Sequence, residues 1–400
     1  MASRESFSLA DGLLAALVLF FTLAFFHAHG ASDVDRFWLN WINILAEHEH
    51  FSDGFAAVWA DYPPVSILML DMIGKIAAHQ GVEAFVILKA FVLFFLFATT
   101  LAYYIVSGQK SVALLMHLML LPSSILLTYL DIWYAPFLIL CFWYLRKARP
   151  GFALFYFALS CSIKYQPAIL APFIAIYVWK LYQLQGQQAG FKAAKAIGIT
   201  LLLYIALMFW MVGNALWVSW FNALFHNRLS FQGLNAYWAY MQIHVMLGVD
   251  VREVRNASDA LLHGSRLLFL LAYAWLLFRF AREKINFTAF LFYAMAGYYA
   301  YFSLSTGVHE NHLFVAAIVA SWLFVCDART RPVALFVMLM NNFNLVLFNG
   351  LTGEGLQHSL AFGIDMTIPI ALVNALFFAF LLIALSLPST YRDRWLGVTN

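Results

Sequence analysis

Val65-Ser66-Ile67-Leu68-Met69-Leu70-Asp71-Met72-Ile73-Gly74-Lys75-Ile76-Ala77-Ala78 decides how this chain is laid out. If the stretch crosses a membrane, every later connection changes side. Its apolar part is shorter than the ~20 residues a bilayer core requires, and it carries Asp71 and Lys75. It is therefore expected to be a helix that lies at the membrane interface or re-enters it. Residues 37–46 are expected to form a second such helix, with Trp38 and Trp41 at headgroup depth.

With that stretch kept out of the count, apolar runs lie near residues 12–27, 85–106, 111–129, 131–145, 151–163, 167–180, 195–213, 266–281, 286–304, 311–326, 333–348 and 367–386. Each is expected to span a bilayer, about a dozen spans in all. The composition agrees: 64% hydrophobic, 18% aromatic and only 11% charged residues describe a chain that uses lipid as solvent, not a soluble core. Mean hydropathy is +0.80, to the same effect.

The run at 12–27, followed by small residues at 28–31, resembles a signal peptide but is better taken as an uncleaved first span. Lys110, then Arg146, Lys147 and Arg149, then residues 180–195, then 279–284, then Arg329 with Arg331, then Arg392 with Arg394 fall in alternate connections. That positive-inside pattern puts both termini in the cytoplasm. The expected fold class is an all-α polytopic membrane protein, one domain over residues 1–400. Residues 28–84 form its first outer loop with interfacial helices, 214–265 a long outer loop, and 349–366 a third polar outer region.

A net charge of +3 is too small to argue for nucleic acid. Cys141, Cys161 and Cys326 lie in apolar runs with no metal or disulfide spacing, as packing residues do. Asn256-Ala257-Ser258 is a glycosylation sequon, a tripeptide common by chance.

In so apolar a chain, carboxylates beside the membrane need a reason. Asp33 and Asp35 follow the first run directly. Helix capping would account for one of them; a general base on an acceptor hydroxyl, with its neighbour orienting it or binding a cation, would account for both. Asp61-Tyr62-Pro63-Pro64 is a rigid corner, which stops the loop before the next helix and also holds Asp61 near Asp33. Lys164 and Gln166 sit between two runs: the lysine either snorkels to the interface or faces a phosphate.

His309-Glu310-Asn311-His312 begins a span. Its histidines are at i and i+3, not the i and i+4 of the zinc-protease motif, but imidazoles and a carboxylate there suit a phosphate or a sugar. Glu47-His48-Glu49-His50 reads as solvated loop. Asp131, and Asn235 with Trp238, suit sugar contacts or packing equally.

Taken together and in order, these residues resemble the GT-C superfamily of polyprenyl-phosphate-sugar-dependent glycosyltransferases. Ser32-Asp33-Val34-Asp35-Arg36-Phe37-Trp38 looks like its modified DxD loop. Asp61-Tyr62-Pro63-Pro64 is similar to the DYPP signature of dolichyl-phosphate-glucose glucosyltransferases of N-glycan precursor assembly, found also in bacterial polyprenyl-phosphate mannosyltransferase-like proteins. Lys164, Gln166 and Pro167 resemble a KxQ segment, Val308 to Phe314 a VHEK or MHERYLF segment, and Leu234 to Trp238 an NAYNLW stretch. The likeness runs from about residue 10 to 350, through short motifs.

It implies a GT-C-type bundle of about 12 spans and inverting transfer of a hexose from a polyprenyl-phosphate donor to a glycan or glycolipid hydroxyl on the outer face. Asp33 matches the catalytic base and Asp35 a less general helper. Arg36, Asp61, Tyr62, Asp131, Lys164, Gln166, Asn235, Trp238, His309, Glu310 and His312 are the candidate donor-binding residues. Asn311 stands where those families carry a basic residue. No complete metal site is legible, and a divalent metal stays open. The compressed loops favour a bacterial inner membrane over the endoplasmic reticulum. A transporter or lipid flippase would use the same carboxylates and histidines, and such proteins often show inverted repeats, which are not legible here.

Overall fold

The computed structural model describes residues 8–59, 61–184, 186, 188–224, 230–231, 233–250, 259–305, 307–350, 360–361 and 364–387. Within them the architecture is all-α: seventeen α-helices and two pairs of two-residue strands. The sequon at Asn256 and the basic pair Arg392 and Arg394 lie outside the described residues.

Helix α1 (Leu9–Phe26) opens on a capping box in which Ser8 and Asp11 each accept from the other's backbone N–H. A π-helical turn over Val34–Leu39 leads into α2 (Asn40–Ala46), then α3 (Phe51–Val58) and α4 (Pro64–Gln80). The decisive stretch is thus one helix with proline at its first position, where a missing N–H costs nothing, and Gly81 at φ +63° ends it. It buries Ile67, Leu70 and Ile73 against α2 and α5 (Ala84–Ser107), while Asp71 pairs with Lys75 at 2.7 Å.

The next apolar run is broken: α6 (Lys110–Leu120) stops at Pro122 and continues as a π-turn to Leu126. Helices α7 (Ala135–Arg146), α8 (Pro150–Ile163) and α9 (Ala171–Gln183) each carry proline in the first turn. Then come α10 (Ala189–Val212), α11 (Ala215–Leu224), α12 (Ala236–Met246), α13 (Asp259–Arg282), α14 (Phe287–Leu304), α15 (Phe314–Cys326), α16 (Arg331–Asn349) and α17 (Thr367–Ser386). The expected long loop 214–265 therefore holds two helices and the start of a third.

Among the described residues, six helices are long and apolar enough to cross a membrane: Leu9–Phe26, Ala84–Ser107, Gly190–Val212, His263–Arg282, Ala328–Asn349 and Thr367–Ser386. The apolar helices at Lys110–Leu126, Ala135–Arg146, Pro150–Ile163 and Glu310–Cys326 are shorter. Length follows position. Helices α1, α10 and α13 present exposed Phe20, Leu202 and Leu271, as lipid-facing helices do, whereas α15 is buried from Phe314 to Leu323. An inner helix meets other helices along its length, so its 12 or 13 residues need not match a bilayer. The inner packing is close: a Cβ on Gly297 of α14 would collide with the Phe173 ring of α9.

Some polar groups inside the bundle are paired across helices. His117 on α6 lies between Thr100 Oγ1 at 2.8 Å and Thr22 Oγ1 at 3.1 Å. Thr100 gives its own proton to Leu96 O, so His117 Nδ1 donates to Thr100 and Nε2 accepts from Thr22. Cys141 and Cys161 are buried free thiols and Cys326 is half-buried.

Trp38 and Trp41, expected at headgroup depth, are buried within the protein, at 2% and 8% exposed. Their helix turns its tryptophan face inward onto Tyr62, with ring centroids 5.3 and 5.5 Å away, and leaves Phe37 outside.

Candidate functional site

The site is assembled from connections that alternate along the chain. The ends of α1, α6, α8 and α14 come to one end of the bundle, and their following residues, 28–34, 127–133, 164–166 and 307–313, meet there. Arg146, which ends α7, lies near Cys326, which ends α15, at the ends of those helices away from residues 127–133 and 307–313.

Asp33 precedes the π-turn at φ −64° and makes no side-chain cap bond, so the capping account does not apply to it. The carboxylate is half-buried, and desolvation, reinforced by the neighbouring Glu310 charge, raises its pKa to about 6. His309, Lys164 and Arg36 act in the opposite direction. Asp35, two positions on, faces away, because side chains at i and i+2 on a helical turn do not share a side. It is exposed and lies 3.8 Å from His29. The two aspartates are separate sites.

Below Asp33 lies a buried ion pair. Lys164 donates to Asp131 Oδ2 at 2.7 Å, with side chains 6% and 1% exposed. Asn311 Nδ2 donates to the same oxygen at 3.2 Å and Tyr134 to Oδ1 at 3.4 Å. The Tyr62 ring caps the lysine, Nζ lying 5.2 Å from its centroid. Asp131 is thus the counter-ion of Lys164, and Lys164 neither snorkels nor stands as a lone cation.

Glu310 accepts from Tyr129 at 2.5 Å, and burial raises its pKa; Asn349 donates to the Tyr129 hydroxyl at 3.3 Å. Asn344 donates to Glu310 O and accepts from Leu234 N at 2.7 Å. His312 Nδ1 lies 3.0 Å from the Tyr301 hydroxyl, and its ring is 5.2 Å from that of His309. Asp61 and Arg36 are exposed at the rim. Among the described residues, Gln166 Oε1 and Asn311 Oδ1 are buried polar atoms without a hydrogen-bond partner.

Asn235 and Trp238 have structural partners in the fold. Asn235 caps α12, accepting from Tyr237 N and Trp238 N, and donates to Phe302 O at 2.8 Å. Trp238 packs on Phe348, centroids 4.7 Å apart, and is 4% exposed. The segment still borders the site, because Ser230–Phe231 pairs in parallel with Gly307–Val308 just before His309.

Sequence reading passed over Tyr129, Tyr134, Asn344 and Asn349 as contributors to the site, and took Asn311 only as the place of a missing basic residue. The tyrosines carry no local signal in so aromatic a chain. The asparagines did carry one: amides inside an apolar run such as 333–348 are costly unless they are bonded. Among the described residues no group of three or more His, Cys, Asp or Glu side chains is placed to hold a metal ion. No model of a known protein family matches this chain, and no curated protein matches it.

Proposed function

We propose that this chain is an inverting glycosyltransferase of the GT-C type, moving a hexose from a polyprenyl-phosphate donor to an acceptor hydroxyl on a lipid-linked glycan or polysaccharide. The observation that carries the proposal is Asp33: a half-buried carboxylate that caps nothing, with its pKa raised to about 6, beside Lys164, Arg36 and His309. A base works best with a pKa close to the working pH.

The acceptor hydroxyl gives its proton to Asp33 and attacks the anomeric carbon; the carbon–oxygen bond to the lipid phosphate breaks. Phosphate is already a good leaving group, so the protein has only to meet its charge. Lys164 uses one N–H on Asp131 and has two more to offer. Arg36 and His309 supply further positive or donor groups. The unpartnered Gln166 Oε1 and Asn311 Oδ1 suit sugar hydroxyls. One in-line displacement inverts the anomeric centre.

Counting α1, α5 to α10 and α13 to α17 as crossings gives twelve and is consistent with the site lying on the face opposite the basic connections. In this reading that face is periplasmic in a bacterial inner membrane, and α2, α3 and α4 lie along it.

Purified protein incubated with a panel of radiolabelled polyprenyl-phosphate sugars should yield a labelled acceptor. Asp33→Asn should lower kcat by roughly 10²–10⁴ and leave donor binding intact. Near-normal turnover in that variant would remove Asp33 as the base. Substrate flux across liposomes without product would replace the enzyme by a transporter.

A further inference from the structure

Lys89 stands one turn into α5, where a snorkelling lysine would reach for water. It is instead 1% exposed. Its Nζ donates to Phe25 O at 3.4 Å and to Ile125 O, and lies 5.5 Å from the centroid of the Phe85 ring. Phe25 is in the last turn of α1, and Ile125 is in the π-turn that follows α6. Both are helical ends, where a cation is favourable near the last carbonyls; Phe25 O also accepts from Ala28 N at 3.0 Å.

The two segments so joined are those that carry the site. Beyond Phe25 the chain docks on the residues beyond Ile125: Ala31 N donates to Leu127 O at 2.9 Å. Gly30, at φ +93°, passes so close to Thr128 that a Cβ would come within 2.7 Å of its Oγ1. Two residues after Ala31 stands Asp33; two after Leu127 stands Tyr129, which holds Glu310. We infer that Lys89 is a positioning residue, whose ammonium clamps the end of α1 to the π-turn and thereby fixes Asp33 against Tyr129 and Glu310. It touches none of the reacting groups. Its kinetic consequence rests on the proposed glycosyl transfer; its structural consequence does not.

Lys89→Met keeps the length and apolar stem and removes the donors; Lys89→Arg keeps charge and donors. Hydrogen exchange of the full-length protein in lipid nanodiscs reads the clamp directly. In the Met variant, exchange should rise at residues 28–35 and 126–131 and stay as in wild type across α14 to α17. The Arg variant should stay close to wild type. With an active donor found, kcat should fall by about 10²-fold in the Met variant, as a displacement near 1 Å costs, while the donor KM stays within about twofold.

If Lys89→Met does not purify folded, Lys89→Gln, which removes the charge and shortens the reach but keeps an amide donor group, takes its place. Unchanged exchange in both segments, or a uniform rise through every helix, overturns the inference. So does an Arg variant indistinguishable from Met. A wild type that transfers no sugar would sink the glycosyltransferase proposal and leave the exchange result to decide Lys89.

Discussion

Asp33 is held where its ionised form is least comfortable, and that has a sign that can be measured. Its native pKa is about 6, above the ~4 of an unfolded aspartate. Between those values the native state binds more proton than the unfolded one. Stability from this group is therefore fully present below the unfolded pKa and is lost as pH rises through about 6. Two pKa units correspond to at most about 3 kcal/mol, less whatever solvent reaches the half-buried carboxylate. Asp33→Asn should accordingly melt higher than wild type at pH 7.5, and the gap should close toward pH 4. Activity should run the other way, rising with pH through about 6 as the base ionises. Thermal unfolding in detergent across that range, set beside initial rates, checks both arms. A variant no more stable than wild type at pH 7.5 would mean that Asp33 carries no desolvation cost.

Between elements, the Lys164–Asp131 pair fastens the leading turn of α7 to the far end of α8. Removing either partner leaves the other charged and buried, at a cost of roughly 3–5 kcal/mol. Lys164→Met and Asp131→Asn should each unfold early, and the double variant should be less destabilised than the sum of the two. Unfolding in denaturant, treated as a double-mutant cycle, measures the coupling. The sequence had Lys164 and Asp131 as separate contacts for a donor. Their pairing was not legible because Asp131 and Lys164 are 33 residues apart and belong to different apolar runs. The helices themselves were legible where hydropathy is continuous: 84–107, 150–163 and 367–386 fall within a residue or so of the runs that announced them. Helices α3, α11 and α12 were not. They are short, and their apolar residues are interrupted by the Asn, Ser and His that also mark loops. Nor could a hydropathy run show that Pro122 would turn its last residues into the π-turn that Lys89 grips.

At the scale of the whole molecule, one question governs the rest: whether α4 crosses the membrane. Asp33 comes before α4, and Asp131 and Lys164 come after it. Helices α5 and α6 lie between α4 and Asp131, and as a pair of crossings they return the chain to the side it left. If α4 also crossed, Asp33 would be a membrane thickness away from Lys164 and Glu310. Asp33 instead feels the charges of both. This favours α4 as a helix that stays on one side, as its short apolar stretch and its Asp71–Lys75 pair also suggest. The arrangement predicts opposite exposure for two surface positions. Glu49, in the turn between α2 and α3, precedes α4; Lys147, after α7, follows α5, α6 and α7, three crossings in the proposed topology. In a Cys326→Ser background, Glu49→Cys should react with a membrane-impermeant maleimide in intact cells, and Lys147→Cys only after permeabilisation. Labelling of both from the same side would require an even number of crossings between them, either because α4 crosses as well or because one of α5 to α7 does not. That result would part Asp33 from Lys164 and dismantle the site with the topology.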